Sequence, residues 1–306
     1  MPRYKLSIAY DGTDFCGWQK QEPPDPENPS KRMTLRTVQG VVEETVREVL
    51  REKVVVMGAS RTDSGVHALG QVAAFTSEPI EGKGIGWPEE RGTSALVRAL
   101  NSKLPRDVLI MGAEVVAHDF NPIGGAVEKE YTYTIECGPV RPLWDRKYVF
   151  HTWYELDLAK MQQAAAAMVG EKDFAAFAQI DHGRTTTVRT IFGCSVESAS
   201  LSPQGERAGV RGAPPSLQTP SVSCADSSPV GDRGAGNHAR FVIRVSGSGF
   251  LYNMVRIIAG TLMEVGRGKI EPGEIETIIA SGDRRQAGPT LPPQGLRLEW
   301  VQYSDS

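Results

Sequence analysis

Eight consecutive residues, Ser60-Arg61-Thr62-Asp63-Ser64-Gly65-Val66-His67, concentrate the groups most able to do chemistry in this chain. One acid, Asp63, stands between an arginine and a glycine turn, in a short link between two strand-like runs. Gly65 lets the backbone bend where a side chain would obstruct a substrate. A carboxylate held on such a loop is suited to act as a nucleophile or an orienting group, with Arg61 and Thr62 beside it as partners for its charge. Asp, Ser and Gly are also ordinary turn residues, so the stretch taken alone equally describes a surface turn with an ion pair. The rest of the chain decides between the two.

Arg256 lies in a run that is otherwise apolar, with Met254, Val255, Ile257 and Ile258 around it. An arginine in dry surroundings either snorkels from a helix end or is a fixed cation facing a carboxylate or phosphate. Asp63 is the strongest carboxylate candidate for that pairing. Lys129-Glu130-Tyr131-Thr132-Tyr133 sets aromatics on one strand face. Tyr133 reads as core; Tyr131 either packs there too or sits at the mouth of a site and stacks on a base. In Gly17-Trp18-Gln19-Lys20, Lys20 offers a phosphate contact, while Trp18 alone is more typical of a core. His67 follows the glycine turn, where it either holds the loop or touches the substrate. The glycines of 82–86 lack the G-K-[ST] of a phosphate loop, no G-x-S-x-G occurs, and no Ser–His–Asp set suggests itself. Nothing calls for a nucleotide cofactor.

A chain of 306 residues suffices for a sizeable core and two domains. Apolar content of 40% and charged content of 23% fit a globular protein. A net charge of −3 gives no whole-protein attraction to nucleic acid, so RNA binding would need a local basic patch. Cys16, Cys137, Cys194 and Cys224 are scattered, with no zinc spacing, which suits a reducing compartment and leaves no metal expected. No run of 18 apolar residues occurs. A cytoplasmic protein is the expectation, with an organelle or the nucleus as the alternative if a targeting segment has been lost.

Alternating Leu6, Ile8 and Tyr10 predict a first strand, and residues 22–36 a mobile, proline-rich loop. Val38, Val42, Val46 and Val49 predict a helix over 37–52, with Glu43 four before Arg47. Strands over 54–57 and 71–76, a loop over 79–92, a helix over 94–103 and a strand over 108–116 complete β-α-β-β-α-β. The second half repeats that order. A strand runs through 131–135, Asp157 caps a helix that Gly170 can end, and strands follow at 187–196 and 240–245. A nearly all-apolar helix covers 251–265, a short one 272–280, and a strand 296–303 closes the chain. Residues 198–238, rich in Ser, Pro and Gly, read as a disordered insertion. The fold expected is α+β, with two tandem units at 1–117 and 118–306.

Several blocks then agree. Ala9-Tyr10-Asp11-Gly12 with Gly17-Trp18-Gln19-Lys20, Thr37-Val38-Gln39-Gly40, Arg61-Thr62-Asp63-Ser64-Gly65-Val66-His67 and Gly70-Gln71-Val72 come first. Lys129-Glu130-Tyr131-Thr132-Tyr133, Phe174-Ala175-Ala176-Phe177, Asn253-Met254-Val255-Arg256, and Ala287-Gly288-Pro289-Thr290 with Gly295-Leu296 follow. In this order, over almost the whole chain, they resemble the TruA family of tRNA pseudouridine synthases. The resemblance implies two ferredoxin-like halves joined in one mostly antiparallel sheet with a cleft between them. It implies Asp63 as the catalytic aspartate, Arg256 paired with it, and Arg61 contacting RNA or steadying the loop. Tyr131 would stack on the target uracil, and Lys20 and His67 would serve the substrate. It further implies a homodimer gripping tRNA, no metal or cofactor, and target uridines just 3′ of the anticodon, at tRNA positions 38–40. One departure is Phe120-Asn121-Pro122-Ile123, where many members carry a basic residue after the aromatic; Ser60 and Ser64 replace a common Gly and Ala.

The chemistry suits these residues. Isomerising uridine to pseudouridine needs no redox partner. A carboxylate serves either by adding to the uracil ring or by trapping the sugar, and a base must take the proton from carbon 5. The uridine must be flipped out of its stack, and Arg256 is expected to keep Asp63 ionised in a low-dielectric cleft. The competing readings are a non-catalytic tRNA-binding module of the same fold and a carboxylate-dependent hydrolase, which would want a second acid nearby.

Overall fold

The computed structural model describes residues 1–28, 30–78, 85–179, 186–199 and 238–304. Among the described residues its frame is one ten-stranded sheet, mostly antiparallel, with five α-helices. Strand β1 (Arg3–Tyr10) alternates strictly, sending Tyr4, Leu6, Ile8 and Tyr10 into the core. Helix α1 (Val38–Leu50) starts where the Thr37 hydroxyl accepts the Gly40 N–H at 3.3 Å. Its Val38, Val42, Val46 and Leu50 form the buried stripe. Strands β2 (Met57–Gly58) and β3 (His67–Thr76), helix α2 (Thr93–Asn101) and strand β4 (Val108–Val116) complete the first half. The strand order is β4-β1-β3, with β2 on the far end of β3.

The strand expected over 54–57 shrinks to two residues. Side chains of α1 take the backbone groups that a sheet neighbour would need. Glu43 Oε2 accepts from Val56 N at 3.0 Å, Gln39 Nε2 donates to Val56 O at 2.8 Å, and Arg47 Nε to Val54 O at 2.9 Å. The 71–76 strand is longer than expected and begins at His67.

The second half runs β5 (Ala126–Cys137), β6 (Phe150–Thr152), α3 (Leu158–Ala166), β7 (Gly170–Asp173), β8 (Val188–Ala199), β9 (Ala239–Gly247), α4 (Met254–Gly266), α5 (Ile275–Ser281) and β10 (Leu296–Tyr303). Asp157 caps α3 as expected, accepting from Lys160 N at 3.1 Å. The short strands β6 and β7 were not expected; neither has enough residues to show a period. Helix α4 starts at Met254 and not at 251, because Asn253 takes a left-handed conformation with φ 61°. The order here is β10-β5-β9-β8-β7, with β6 beside β5. The insertion expected over 198–238 and part of the 79–92 loop fall largely outside the described residues.

The halves join where β10 pairs in parallel with β3, Arg297 opposite His67 and Leu298 opposite Ala68. That seam lies at the start of β3, directly after the Asp63 loop, so it carries the loop toward α4. Among the described residues no helix is long and apolar enough to cross a membrane.

Candidate active site

The loop from Ala59 to Val66 is tied down at nearly every residue. Ala59 N donates to Val72 O at 2.7 Å, which is where the β2–β3 pairing ends. The amide of Gln71 then takes both backbone groups of Ser60, accepting from N at 3.2 Å and donating to O at 2.7 Å. Trp18 N donates to Thr62 O at 3.0 Å, the Thr62 hydroxyl meets Tyr10 OH at 2.7 Å, and Gly65 N donates to Phe15 O at 3.2 Å. Val66 N closes the turn on Asp63 O at 3.1 Å. Two glycines are required by this packing. Gly65 has φ 78°, and a Cβ there would meet Pro293 at 2.8 Å; a Cβ on Gly12 would lie 1.9 Å from Val66 O.

Asp63 therefore stands on a rigid loop, and its side chain is 23% exposed. Arg256 Nη1 lies 3.6 Å from Asp63 Oδ2, an ion pair and too long for a hydrogen bond. The guanidinium, 15% exposed, is itself fixed: Nη1 donates to Asn253 Oδ1 and Nε to Leu291 O, both at 2.6 Å. Asn253 uses its amide nitrogen on Gln179. Of the two readings of Arg256, snorkelling or a fixed cation facing a carboxylate, the geometry is that of the second.

The charge balance differs from expectation. Arg256 does favour the ionised form of Asp63, but burial opposes it more strongly, and the carboxyl titrates above its ordinary range. The partner of Asp63 is Arg256 and not the adjacent Arg61, whose side chain is exposed. Arg61 makes no hydrogen bond or ion pair among the described residues, so its five donors face solvent.

Tyr131 is 7% exposed, with its hydroxyl 2.9 Å from Ser60 Oγ and its ring edge-on to Phe250. Burial pushes its hydroxyl up to about 12, with the Asp63 charge also raising it, so the phenol is neutral. Its ring is buried and close enough to Asp63 to feel the charge of the acid. Trp18 and Tyr133 are core residues, as their alternative readings had it. Lys20 is committed to the buried Glu43, Nζ to Oε1 at 2.5 Å, beside Arg47. His67 is 4% exposed, and both ring nitrogens are engaged. Nδ1 accepts from Gly12 N at 3.0 Å, so Nε2 carries the proton and donates to Lys147 O at 3.0 Å. Burial lowers its pKa against the opposing influence of Asp11, in keeping with that neutral form. His67 thus clamps the loop base to the 145–149 segment and leaves no free ring edge.

Asp11 spends its carboxylate on Thr13 and Tyr148, which removes it as a free second acid. Asn121 accepts from Ile123 N at 2.9 Å and Gly124 N at 3.1 Å, so it builds a turn where a basic side chain was looked for. Gln71, Asn253 and Leu291 were not singled out from sequence, and Ser60 only as a departure from the family pattern. Gln71 and Asn253 lay inside quoted blocks, but an amide carries no chemical signal until its partners are known. Among the described residues no cluster of three or more His, Cys, Asp or Glu is placed to hold a metal ion.

The family described as "tRNA pseudouridine synthase" matches residues 6–121 and 164–304. A Clostridium perfringens protein named tRNA pseudouridine synthase A 2 is 38% identical over 99% of this chain and 100% of its own length. Proteins named tRNA pseudouridine synthase A from Caldicellulosiruptor saccharolyticus and Geotalea daltonii are each 37% identical, over 97% and 99% of this chain and 98% and 100% of their own lengths. This chain belongs to the tRNA pseudouridine synthase family. A pseudouridine synthase is an isomerase, whose substrate and product contain the same atoms. The N1–C1′ bond of uridine breaks, a C5–C1′ bond forms, C5 loses a proton and N1 gains one. The rigid acid beside a partly buried cation and a neutral phenol is suited to that exchange.

Proposed function

We propose that this protein isomerises uridine to pseudouridine in the anticodon stem-loop of tRNA, at positions 38–40, with Asp63 as the nucleophile. The single observation supporting Asp63 is its rigid presentation 3.6 Å from a guanidinium that two fixed partners hold in place. In this reading Arg256 favours the carboxylate and aligns it. The carboxylate adds to the uracil ring or traps the sugar, and the neutral Tyr131 ring forms the apolar wall against which the flipped base rests. Exposed Arg61 meets the RNA backbone at the rim. Lys20 and His67 support the loop region and reach substrate only if their present partners are exchanged.

The strand orders β4-β1-β3 with β2, and β10-β5-β9-β8, support two tandem ferredoxin-like units over 1–117 and 118–306. The reading includes a cytoplasmic homodimer that grips one tRNA across both subunits.

The test is to incubate the purified protein with unmodified tRNA and map carbodiimide-resistant adducts site by site. Pseudouridine at 38–40 is expected, and its loss in Asp63→Ala with tRNA binding and fold retained. Unchanged turnover in Asp63→Ala refutes the assignment, and tRNA binding without any pseudouridine favours the non-catalytic module.

A further inference from the structure

Gln71 is 0% exposed, yet it carries four hydrogen-bonding positions on its amide. A buried primary amide is costly unless satisfied, and its partners here are specific. It lies on β3 opposite Ile8 of β1, one residue before Val72, whose carbonyl closes the last backbone bond to Ala59. From there β2 no longer pairs with β3, and the Asp63 loop departs. The Gln71 side chain continues the pairing one residue further. Oε1 accepts from Ser60 N at 3.2 Å and Nε2 donates to Ser60 O at 2.7 Å. The orientation of the amide is set by chemistry, because Ser60 N can only donate and Ser60 O only accept.

Ser60 in turn touches Tyr131, hydroxyl to hydroxyl at 2.9 Å. One side chain thus fixes the residue from which the Asp63 loop springs and, through it, the ring beside Asp63. Further ties reach the loop from 10–18, from Lys129 of β5, whose Nζ donates to Ala59 O at 2.7 Å, and from Arg256 at Asp63. Without the Gln71 clamp, the Ser60 flank of the loop has no tie from β3 beyond Ala59.

We infer that Gln71 is a positioning residue for the isomerisation, setting the placement of Asp63 and Tyr131 through a two-point grip on Ser60. This rests on the assignment of Asp63 as the nucleophile. A Gln71→Met variant fills similar space but makes neither bond. A misplacement of about 1 Å costs on the order of 10²-fold in rate, and the tRNA-binding surface is not touched. Gln71→Glu keeps the acceptor for Ser60 N but, when ionised, sets a carboxylate oxygen against Ser60 O. When protonated it donates to Ser60 O and reproduces the grip.

The experiment measures single-turnover rate, tRNA affinity and folded fraction for wild type and both variants across pH, with Asp63→Ala alongside. The expected result is a Gln71→Met rate per folded molecule lowered about 10²-fold with tRNA affinity unchanged, and a Gln71→Glu deficit that shrinks as pH falls. A Gln71→Met rate within twofold of wild type overturns the inference, as does a Gln71→Glu to wild-type ratio that is constant with pH. Where Gln71→Met does not fold, the pH dependence of Gln71→Glu decides alone. Activity surviving in Asp63→Ala would instead overturn the nucleophile assignment, so the two failures are told apart.

Discussion

Removing the Arg256 charge is the most direct probe of how Asp63 is kept usable. Arg256 is the influence that lowers the Asp63 pKa against burial. At the observed 3.6 Å, two unit charges attract by about 1 kcal/mol in a water-like medium and by about 4–5 kcal/mol at an effective dielectric near 20. The side chains keep 15% and 23% exposure, so solvent screening brings the value toward the lower half of that range. Losing the charge removes that attraction and raises the Asp63 pKa further. The carboxylate is then lost at higher pH, and the acid limb of the pH–rate profile moves toward neutrality. Arg256→Gln is expected to show this move, whereas Arg256→Lys keeps the charge and holds the limb near its wild-type position. Both lose part of the grip on Leu291 O and Asn253, so both are slower at the plateau. Release of tritium from 5-tritiated uridine in tRNA measures the rate, because the C5 proton leaves as the new bond forms. An acid limb that stays in place in Arg256→Gln, or moves to lower pH, refutes the electrostatic role and leaves Arg256 as scaffolding alone.

Three further outcomes follow from the geometry. Because the folded-state pKa of Asp63 is raised, its contribution to stability is fully present below the unfolded-state pKa and is lost as pH rises through the folded value. Asp63→Asn, which resembles the protonated acid, should therefore raise the neutral-pH Tm, by about a degree or two, as calorimetry can read. Gly12→Ala cannot be accommodated with Val66 O 1.9 Å from the new Cβ, so thermal melts should show a Tm loss of several degrees and the isomerisation rate should fall at least about tenfold. Asn253→Gly retains the left-handed backbone but removes the acceptor for Arg256. It should lower turnover with little change in Tm, whereas Asn253→Ala adds backbone strain of about 1 kcal/mol and lowers both.

Much of the frame was legible because it is local and periodic. The alternation of β1, the valine stripe of α1 and the Asp157 cap of α3 each rest on residues a few positions apart, and a linear pattern records such spacing directly. The 54–57 strand failed for a non-local reason: Val54 and Val56 do face the core, but Glu43, Gln39 and Arg47 of α1 claim its backbone groups. Asp63 could be found from its own loop, and Arg256 from the oddity of one cation in an apolar helix.

What residue type alone could establish is therefore a short catalogue: a carboxylate on a tight turn, a cation in dry surroundings, an aromatic strand and the spacing of the elements that carry them. Whether they meet was decided by the parallel pairing of β3 with β10, which brings distant parts of the chain to one seam. The fold also decided which groups stay available. Lys20 went to Glu43, His67 to two backbone partners, and Arg61 was left outward. The sign of the Asp63 shift belongs to the fold as well, since it depends on how deeply the acid is buried relative to how closely its cation approaches, and both are set only once the chain has packed.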